Sequence, residues 1–349
     1  MDNQKKSVKG IIISAVFLLI LIALTYFLLF QRFDINEIIK IIAGANKTYI
    51  EIGFSMIFIY LFCYGLFAKV FLKTRGYTVS FGRGFIYATT DFYFSAITPS
   101  ASGGQPMVIY YMSKDGIPVS DGFLSTFLHT TVFKIVLLIL NAFSIIFFWG
   151  VWYKAGWLFI SFWLLGLVIS LGVIFITFLS MFKRETASRI GKVIIKALCR
   201  IRIIKDAEKK TAKFEKTLCD YQNAADELKG KRRLLLKLFI IVFCQRIAYF
   251  SVAFIVYCSF GFSGYGYFYF LAIQVFIALA VDSLPLPGGM GVNEAAIIFM
   301  YDSTFGSQKA AGAMILIRFV NYYSGLVIAS IATIINHLYH FFRGKRAAR

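Results

Sequence analysis

Asp282-Ser283-Leu284-Pro285-Leu286-Pro287-Gly288-Gly289-Met290-Gly291-Val292-Asn293-Glu294 interrupts an apolar region that runs from Tyr265 to Met300. Two prolines and three glycines in these thirteen residues do not sustain an α-helix. Proline lacks the amide donor and clashes with the preceding turn, and glycine loses the most backbone entropy on ordering. A second break, Asp91-Phe92-Tyr93-Phe94-Ser95-Ala96-Ile97-Thr98-Pro99-Ser100-Ala101-Ser102-Gly103-Gly104-Gln105-Pro106, divides the apolar region from Phe81 to Met112. Behind each break lies an apolar piece, Ala295–Met300 or Met107–Met112, far shorter than the roughly 20 residues that cross a bilayer. Broken backbone at membrane depth persists where protein buries it or where it lines a wet cavity. Two such breaks in one chain therefore predict a polar interior.

Around the breaks lie six uninterrupted apolar runs, Ile11–Phe30, Ile50–Ala68, Phe123–Gly150, Trp157–Phe182, Leu234–Phe260 and Ala310–Phe341. Each is long enough to cross with some tilt. The first exceeds the apolar core of a cleavable signal peptide, about 7–15 residues, and ends in Tyr26-Phe27-Leu28-Leu29-Phe30 rather than a small-x-small site. It reads as a retained span. Composition agrees, with 59% of the 349 residues hydrophobic, 15% charged and a mean hydropathy of +0.74, where soluble domains have about 45–50% and about 25%. The predicted fold is an all-α polytopic membrane protein of six full spans plus two re-entrant, Pro/Gly-broken helical hairpins. Residues 1–182 form a first membrane half with its hairpin at 81–112, residues 183–233 a basic cytoplasmic segment, and residues 234–349 a second half with its hairpin at 265–300.

The 37 Lys and Arg outnumber the 17 Asp and Glu, for a net charge of +20, which suits nucleic acid or a membrane surface. The positions of the charges decide between them. With the amino terminus in the cytoplasm and sides alternating, 28 basic residues fall inside, five (Arg32, Lys40, Lys47, Lys154 and Lys309) outside, and four (Lys134, Lys237, Arg246 and Arg318) within apolar runs. This is the positive-inside pattern. It assigns most of the excess charge to orientation and to anionic membrane lipids, so no nucleic-acid binding is expected. On this map both termini are cytoplasmic, the first hairpin enters from the inside and the second from the outside, as in an inverted-topology repeat. Lys134, 31 residues after Gly103, and Arg318, 30 residues after Gly288, then hold similar places in the two halves.

Charge at the centre of a membrane helix costs roughly 2.5–3.5 kcal/mol per residue. Asp91, Lys134, Arg246, Asp282, Glu294 and Arg318 are therefore the candidate working residues. Three acids and three bases can neutralise one another in structural pairs or share one cavity. Helix amino termini freed after Gly104 and Gly291 would be anion-binding ends suited, beside Arg or Lys, to a phosphate headgroup. Lys237 sits a few residues inside its run and is read as snorkelling.

Other chemistry is sparse. Cys63, Cys199, Cys219, Cys244 and Cys258 show no metal-ligand spacing, and His337 and His340 share a helix face without a third ligand. His129, beside Thr130 and Thr131, is read as a polar packing residue. There is no Walker loop, nucleophile elbow or dinucleotide glycine pattern, so neither cofactor nor metal is expected. Within Lys183–Arg233, Ile190, Val193, Ile194, Ala197, Leu198 and Ile201 recur at helical spacing, as do Phe214, Leu218, Tyr221, Ala225 and Leu228. The segment reads as amphipathic helices that either link the halves or dock a partner while sensing anionic lipid.

The runs Thr98–Pro106 and Leu284–Glu294 resemble the two hallmark segments of the lysylphosphatidylglycerol synthase transmembrane, or flippase-like, family, the membrane part of the multiple peptide resistance factor. The likeness extends over nearly the whole chain, up to Arg343. It implies a bacterial plasma-membrane protein that moves a modified phospholipid such as lysyl-phosphatidylglycerol, or a glycolipid, from the inner to the outer leaflet. It assigns Pro99, Ser100, Gly103, Gly104 and Gln105, with Pro285, Pro287, Gly288, Gly289, Asn293 and Glu294, to the substrate pathway. Bifunctional members carry a further soluble domain that attaches lysine from charged tRNA to phosphatidylglycerol. This sequence ends at Arg349, just past its last run, so lysyltransferase activity is not expected of it.

The resulting reading is a lipid transporter whose hairpins meet near the midplane. Lys134, Arg246 and Arg318 would draw a phosphate, and Asp91, Asp282 and Glu294 would face a cationic or hydroxylated headgroup. Two other classes compete: an integral-membrane transferase, with His129 as its one weak candidate, and a scaffold that docks a separate lipid-modifying synthase through Lys183–Arg233. The charge map is open to test in a cysteine-free background. A cysteine at Lys196 should react with an impermeant maleimide from the inside and one at Lys154 from the outside, and the reverse labelling would overturn the map.

Overall fold

The computed structural model describes residues 35–98, 101–182, 184–200, 206–226, 230–282, 284 and 286–347. In chain order its helices are α1 (Ile35–Ala43), α2 (Lys47–Lys73), α3 (Phe81–Ile97), α4 (Gly104–Lys114), α5 (Val119–Phe147), α6 (Trp149–Lys154), α7 (Gly156–Phe182), α8 (Arg184–Arg200) and α9 (Ala207–Asp226). They continue with α10 (Arg232–Ser259), α11 (Tyr267–Val281), a 3-10 turn at Pro287–Gly289, α12 (Val292–Phe305), α13 (Ser307–Arg318), a π-turn at Phe319–Tyr323 and α14 (Ser324–Ala347). Among the described residues, five stretches are long and apolar enough to cross a membrane: α2, α5, α7, α10 and the composite stretch Lys309–His340. These match five of the six predicted runs, while Ile11–Phe30 lies outside the described residues. Both breaks are helix-turn-helix units, α3–α4 and α11–α12. Their second helices have 11 and 14 residues, longer than the apolar pieces alone suggest but short of a crossing.

At the centre α2 and α10 run antiparallel. The Asn46 amide at the start of α2 donates to the Ser259 carbonyl at the end of α10 (2.8 Å), and Gln245 donates to the Tyr60 carbonyl near the middle of both (3.3 Å). The first hairpin begins after Lys73 and the second after Ser259, so their bases lie at opposite ends of this helix pair. Packing is crossed. Helix α3 lies against α14, which follows the second hairpin, and α11 lies against α5, which follows the first. Similarly, α4 packs on α5 as α12 packs on α13. The tips meet: Ile97 and Met290 share an apolar cluster, and Tyr322 donates its hydroxyl to the Ala96 carbonyl at 3.1 Å.

Each hairpin base is fastened differently. At the first, Asp115 pairs with Arg83 and accepts from the Tyr87 hydroxyl at 2.6 Å, Arg83 Nη1 donates to Asn336 Oδ1 at 2.7 Å, and His340 stands 3.6 Å from Asp115. At the second, Tyr257, Phe270, Tyr301 and Phe305 form an aromatic plug with ring centroids 4.6 Å (Tyr257–Phe270) and 5.3 Å (Phe270–Tyr301) apart. Trp149, Tyr153 and Trp157 are exposed at the α5–α7 corner, as an interfacial aromatic girdle requires.

Helices α8 and α9 pack on each other and return to α7 through Leu218 against Leu179 and Gln222 donating to the Ser180 carbonyl at 2.9 Å. The face of α8 turned to α9 lies beside the predicted amphipathic stripe. Gly191 admits the Phe214 ring and Ile195 is buried, while Ile190 and Val193 are exposed. The missing Cβ at Gly191 lets the Phe214 ring approach the α8 backbone there.

Helices α2 and α3 cross at two glycines, where a Cβ on Gly84 would stand 2.6 Å from the Gly65 carbonyl oxygen. Overpacking of this kind costs about 1–3 kcal/mol or more when backbone is the obstacle. Gly84→Val should therefore lower the thermal unfolding midpoint in detergent, whereas Gly82→Val, with nothing within 4 Å of its Cβ, should leave it unchanged.

Candidate functional site

Between the hairpin tips lies a cavity of about 480 Å³. Five of the six predicted intramembrane charges line it, namely Asp91 from α3, Lys134 from α5, Arg246 from α10, Asp282 at the end of α11 and Arg318 at the end of α13. The sixth, Glu294, stands behind the wall against Arg318.

The second hairpin turn explains this wall. Gly288, Gly289 and Gly291 all have positive φ (58°, 64° and 83°), a left-handed backbone that side chains resist. At Gly288 a Cβ would also stand 2.3 Å from the Tyr322 hydroxyl. The Gly288 carbonyl accepts from Arg318 Nη2 at 3.3 Å, and Arg318 Nε donates to Glu294 Oε1 at 2.7 Å. Glu294 Oε2 in turn accepts the Gly291 amide at 2.7 Å. The two charged side chains are 2% and 1% exposed, and the guanidinium lies 4.2 Å from the Tyr322 ring centre. The predicted open anion site after Gly291 is thus corrected. The chain's own Glu294 carboxylate fills the amino end of α12, because a Glu three residues into a helix reaches back to the free amides.

At the first turn Thr98 Oγ1 accepts the Gly103 amide (2.9 Å) and donates to the Phe94 carbonyl (2.6 Å). Gly104 lets α4 close on α3, since a Cβ there would come within 2.6 Å of Asp91 Oδ1. Gln105 Nε2 donates to Thr130 Oγ1 at 2.6 Å. This bond joins the first turn of α4 to α5 across 25 residues, as Glu294–Arg318 joins α12 to α13 across 24. The counterpart of Arg318 by contact is therefore Thr130, and the expected correspondence with Lys134 is out by one helical turn. Lys134 instead crosses to the other half and pairs with Asp282.

Arg246 differs from the other two cations. Its guanidinium lies 3.7 Å from the Phe133 ring centre and 5.3 Å from that of Tyr60, and its buried Nε has no hydrogen-bond partner among the described residues. Among those residues Lys134 and Arg318 each hold a carboxylate, and no acid is in ion-pair contact with Arg246. Gln105, Gly288, Gly289 and Asn293 also line the cavity, while Gly103, Gly104, Pro287 and Glu294 shape its wall from behind. Pro99, Ser100 and Pro285 lie outside the described residues. The sequence reading missed Tyr60, Tyr64, Tyr249 and Gln274 as liners. Gln274 alone carried a signal, being the one amide within the apolar run of α11.

His129 lines the cavity too, but it is held as a packing residue, with Nε2 at 3.0 Å from Gln245 Oε1 and its ring 4.4 Å from that of Tyr64. Among the described residues no group of three or more His, Cys, Asp or Glu is placed to hold a metal.

Removing one partner of a buried ion pair strands the other charge and costs about 3–5 kcal/mol. Glu294→Gln should accordingly destabilise the protein by about that amount in detergent unfolding, by stranding Arg318. Asp282→Asn strands Lys134, whose side chain is 8% exposed, but beside a carboxylate site that is 37% exposed, so it should cost less than Glu294→Gln and more than a surface pair.

Residues 10–329 match the family described as lysylphosphatidylglycerol synthase TM region. A UPF0104 membrane protein of Archaeoglobus fulgidus is 23% identical over 305 residues, a stretch that covers 84% of this chain and 88% of that relative. With 320 of its 349 residues inside the match, this multi-pass chain belongs to the lysylphosphatidylglycerol synthase TM region family.

Proposed function

We propose that the protein is a flippase-like transporter that carries the headgroup of a modified phospholipid or glycolipid through this cavity, from the inner to the outer leaflet of a bacterial plasma membrane. The observation that carries the reading is Arg246, a cavity cation with no carboxylate in contact among the described residues. Holding a charge at membrane depth is costly unless it has a use or a partner. A phosphodiester supplies both, through charge-assisted hydrogen bonds to a guanidinium. Asp91, on the same cavity, suits the amine or hydroxyl of the remaining headgroup.

The other charges then divide by burial. Arg318–Glu294 is sealed and holds the hairpin turn, whereas Lys134–Asp282 is half open and able to exchange its carboxylate for a phosphate. The crossed packing of the two halves supports an inverted-topology repeat with two re-entrant hairpins, whose rocking would expose the cavity to each side in turn. Both termini would be cytoplasmic. Helices α8 and α9, rich in lysine and arginine, would meet anionic lipid and, where a separate synthase supplies the cargo, that enzyme.

Reconstitution with fluorescent phosphatidylglycerol and lysyl-phosphatidylglycerol tests the reading by leaflet exchange. A lost charge-assisted hydrogen bond of about 1.5–3 kcal/mol predicts that Arg246→Ala slows exchange about tenfold to a hundredfold, with Arg246→Lys in between. Undiminished exchange in Arg246→Ala would sink the role of this residue. Exchange of no lipid by the wild type would favour the scaffold.

A further inference from the structure

The cavity has polar residues at its depth and an apolar doorway whose position is legible in the structure. Of the residues that line it, three are exposed: Ala101 beside the first hairpin tip, Asp282 at the second, and Ile169 on α7. Ile169 is the middle residue of the 27-residue α7, about 20 Å from either end at about 1.5 Å per residue. On the α7 side the opening therefore lies at the depth where a bilayer contains hydrocarbon rather than water. The residues that fasten the two hairpin bases, the polar cluster of Arg83, Tyr87 and Asp115 and the aromatic plug, do not line the cavity.

Helix α7 frames the doorway. One of its faces touches α11 at Gly166, where a Cβ would collide with the Leu279 carbonyl, and touches α5 at Thr177, whose hydroxyl lies 2.8 Å from that of Thr131. Between these two contacts, about 16 Å of helix at about 1.5 Å per residue, Ile169 and Val173 line the cavity. Ile277 and Ala278 of α11 continue the apolar lining. From there the lining turns polar through Gln274, Lys134, Thr130 and Arg246.

We infer that the window under α7, lined by Ile169, Val173, Ile277 and Ala278, is a binding site for the acyl chains of an amphiphile whose headgroup occupies the cavity. The inference rests on the lipid reading given above. An apolar window at mid-depth leading to a polar chamber fits a molecule with two such parts. A soluble ion or sugar would have to enter it from hydrocarbon, where its desolvation is prohibitive.

Two measurements separate this site from the transport reading. Ile169→Trp and Val173→Trp should slow leaflet exchange of fluorescent phosphatidylglycerol at least tenfold, while Val168→Trp and Phe175→Trp, on the lipid-exposed outer side of the same helix, should leave it unchanged. Equal rates in all four would overturn the window and leave the transporter standing. The second measurement needs no transport. In phosphatidylcholine nanodiscs, a phosphatidylglycerol with a diazirine at the end of one acyl chain should label residues 169, 173, 277 and 278, and unlabelled phosphatidylglycerol should compete that label away. Label at Phe175 and Phe178 should not be competed. Absence of competed label in the window refutes the site even if the wild type exchanges no lipid. Competed label there without exchange keeps the site and removes the flippase.

Discussion

The guanidinium of Arg318, held between the Glu294 carboxylate and the Gly288 carbonyl, is the contact on which both hairpins depend. A helix broken inside a membrane exposes carbonyls and amides that lipid cannot satisfy. Here one side chain serves the carbonyl side of the break, and its partner carboxylate serves the amide of Gly291. The same stretch then reaches outward. Within the π-turn that follows, Asn321 donates to the Tyr249 carbonyl on α10 at 3.2 Å, and Tyr322 donates to Ala96 at the end of α3. Arg318 and, on the irregular turn that follows, Asn321 and Tyr322 thus tie the second hairpin, the first hairpin and the central helix pair together. Single-turn π segments recur at functional sites because they turn side chains that a regular helix would stack.

With that turn fixed by Arg318 and Glu294, the remaining charges gather at the cavity. The halves are alike in contact scheme and unlike in chemistry. Where the second half joins hairpin to span with Glu294 and Arg318, the first uses the neutral pair Gln105 and Thr130. The difference moves Lys134 out of a structural role at its own hairpin and toward Asp282 at the cavity mouth. Arg246 and Asp91 then face a chamber ringed by Tyr60, Tyr64 and Tyr249. Aromatic rings with hydroxyls accept cations on their faces and hydrogen-bond polar groups at their edges.

Much of the fold was legible because membrane insertion reads sequence directly. Apolar runs of about 20 residues and the placement of lysine and arginine answer to the bilayer itself, and five predicted spans appear as described helices at nearly the predicted bounds. The two breaks were legible for a local reason, since Pro287 and the glycines around it forbid a helix. Less legible was anything that depends on which side of a helix faces a neighbour. The packing of α8 on α9 was not legible, because Gly191, with no side chain, is where the Phe214 ring approaches. The aromatic liners were lost among 39 Phe and 20 Tyr, from which nothing in their spacing sets them apart.

The sequence by itself determined a polytopic helical membrane protein, its two hairpins, and the six charges that had to be accounted for inside it, because burial of charge and breakage of helix carry costs that hold wherever the residues end up. Only the tertiary structure decided how those charges are shared. Pairing is set by distances between helices far apart in the chain: Glu294 lies 24 residues from its partner Arg318, and Asp282 lies 148 from Lys134. The antiparallel contact of α2 and α10 and the crossing of the hairpins bring those groups within reach of one another. They leave Arg246 facing the cavity, and no rule of composition or spacing could have singled it out from the other two cations.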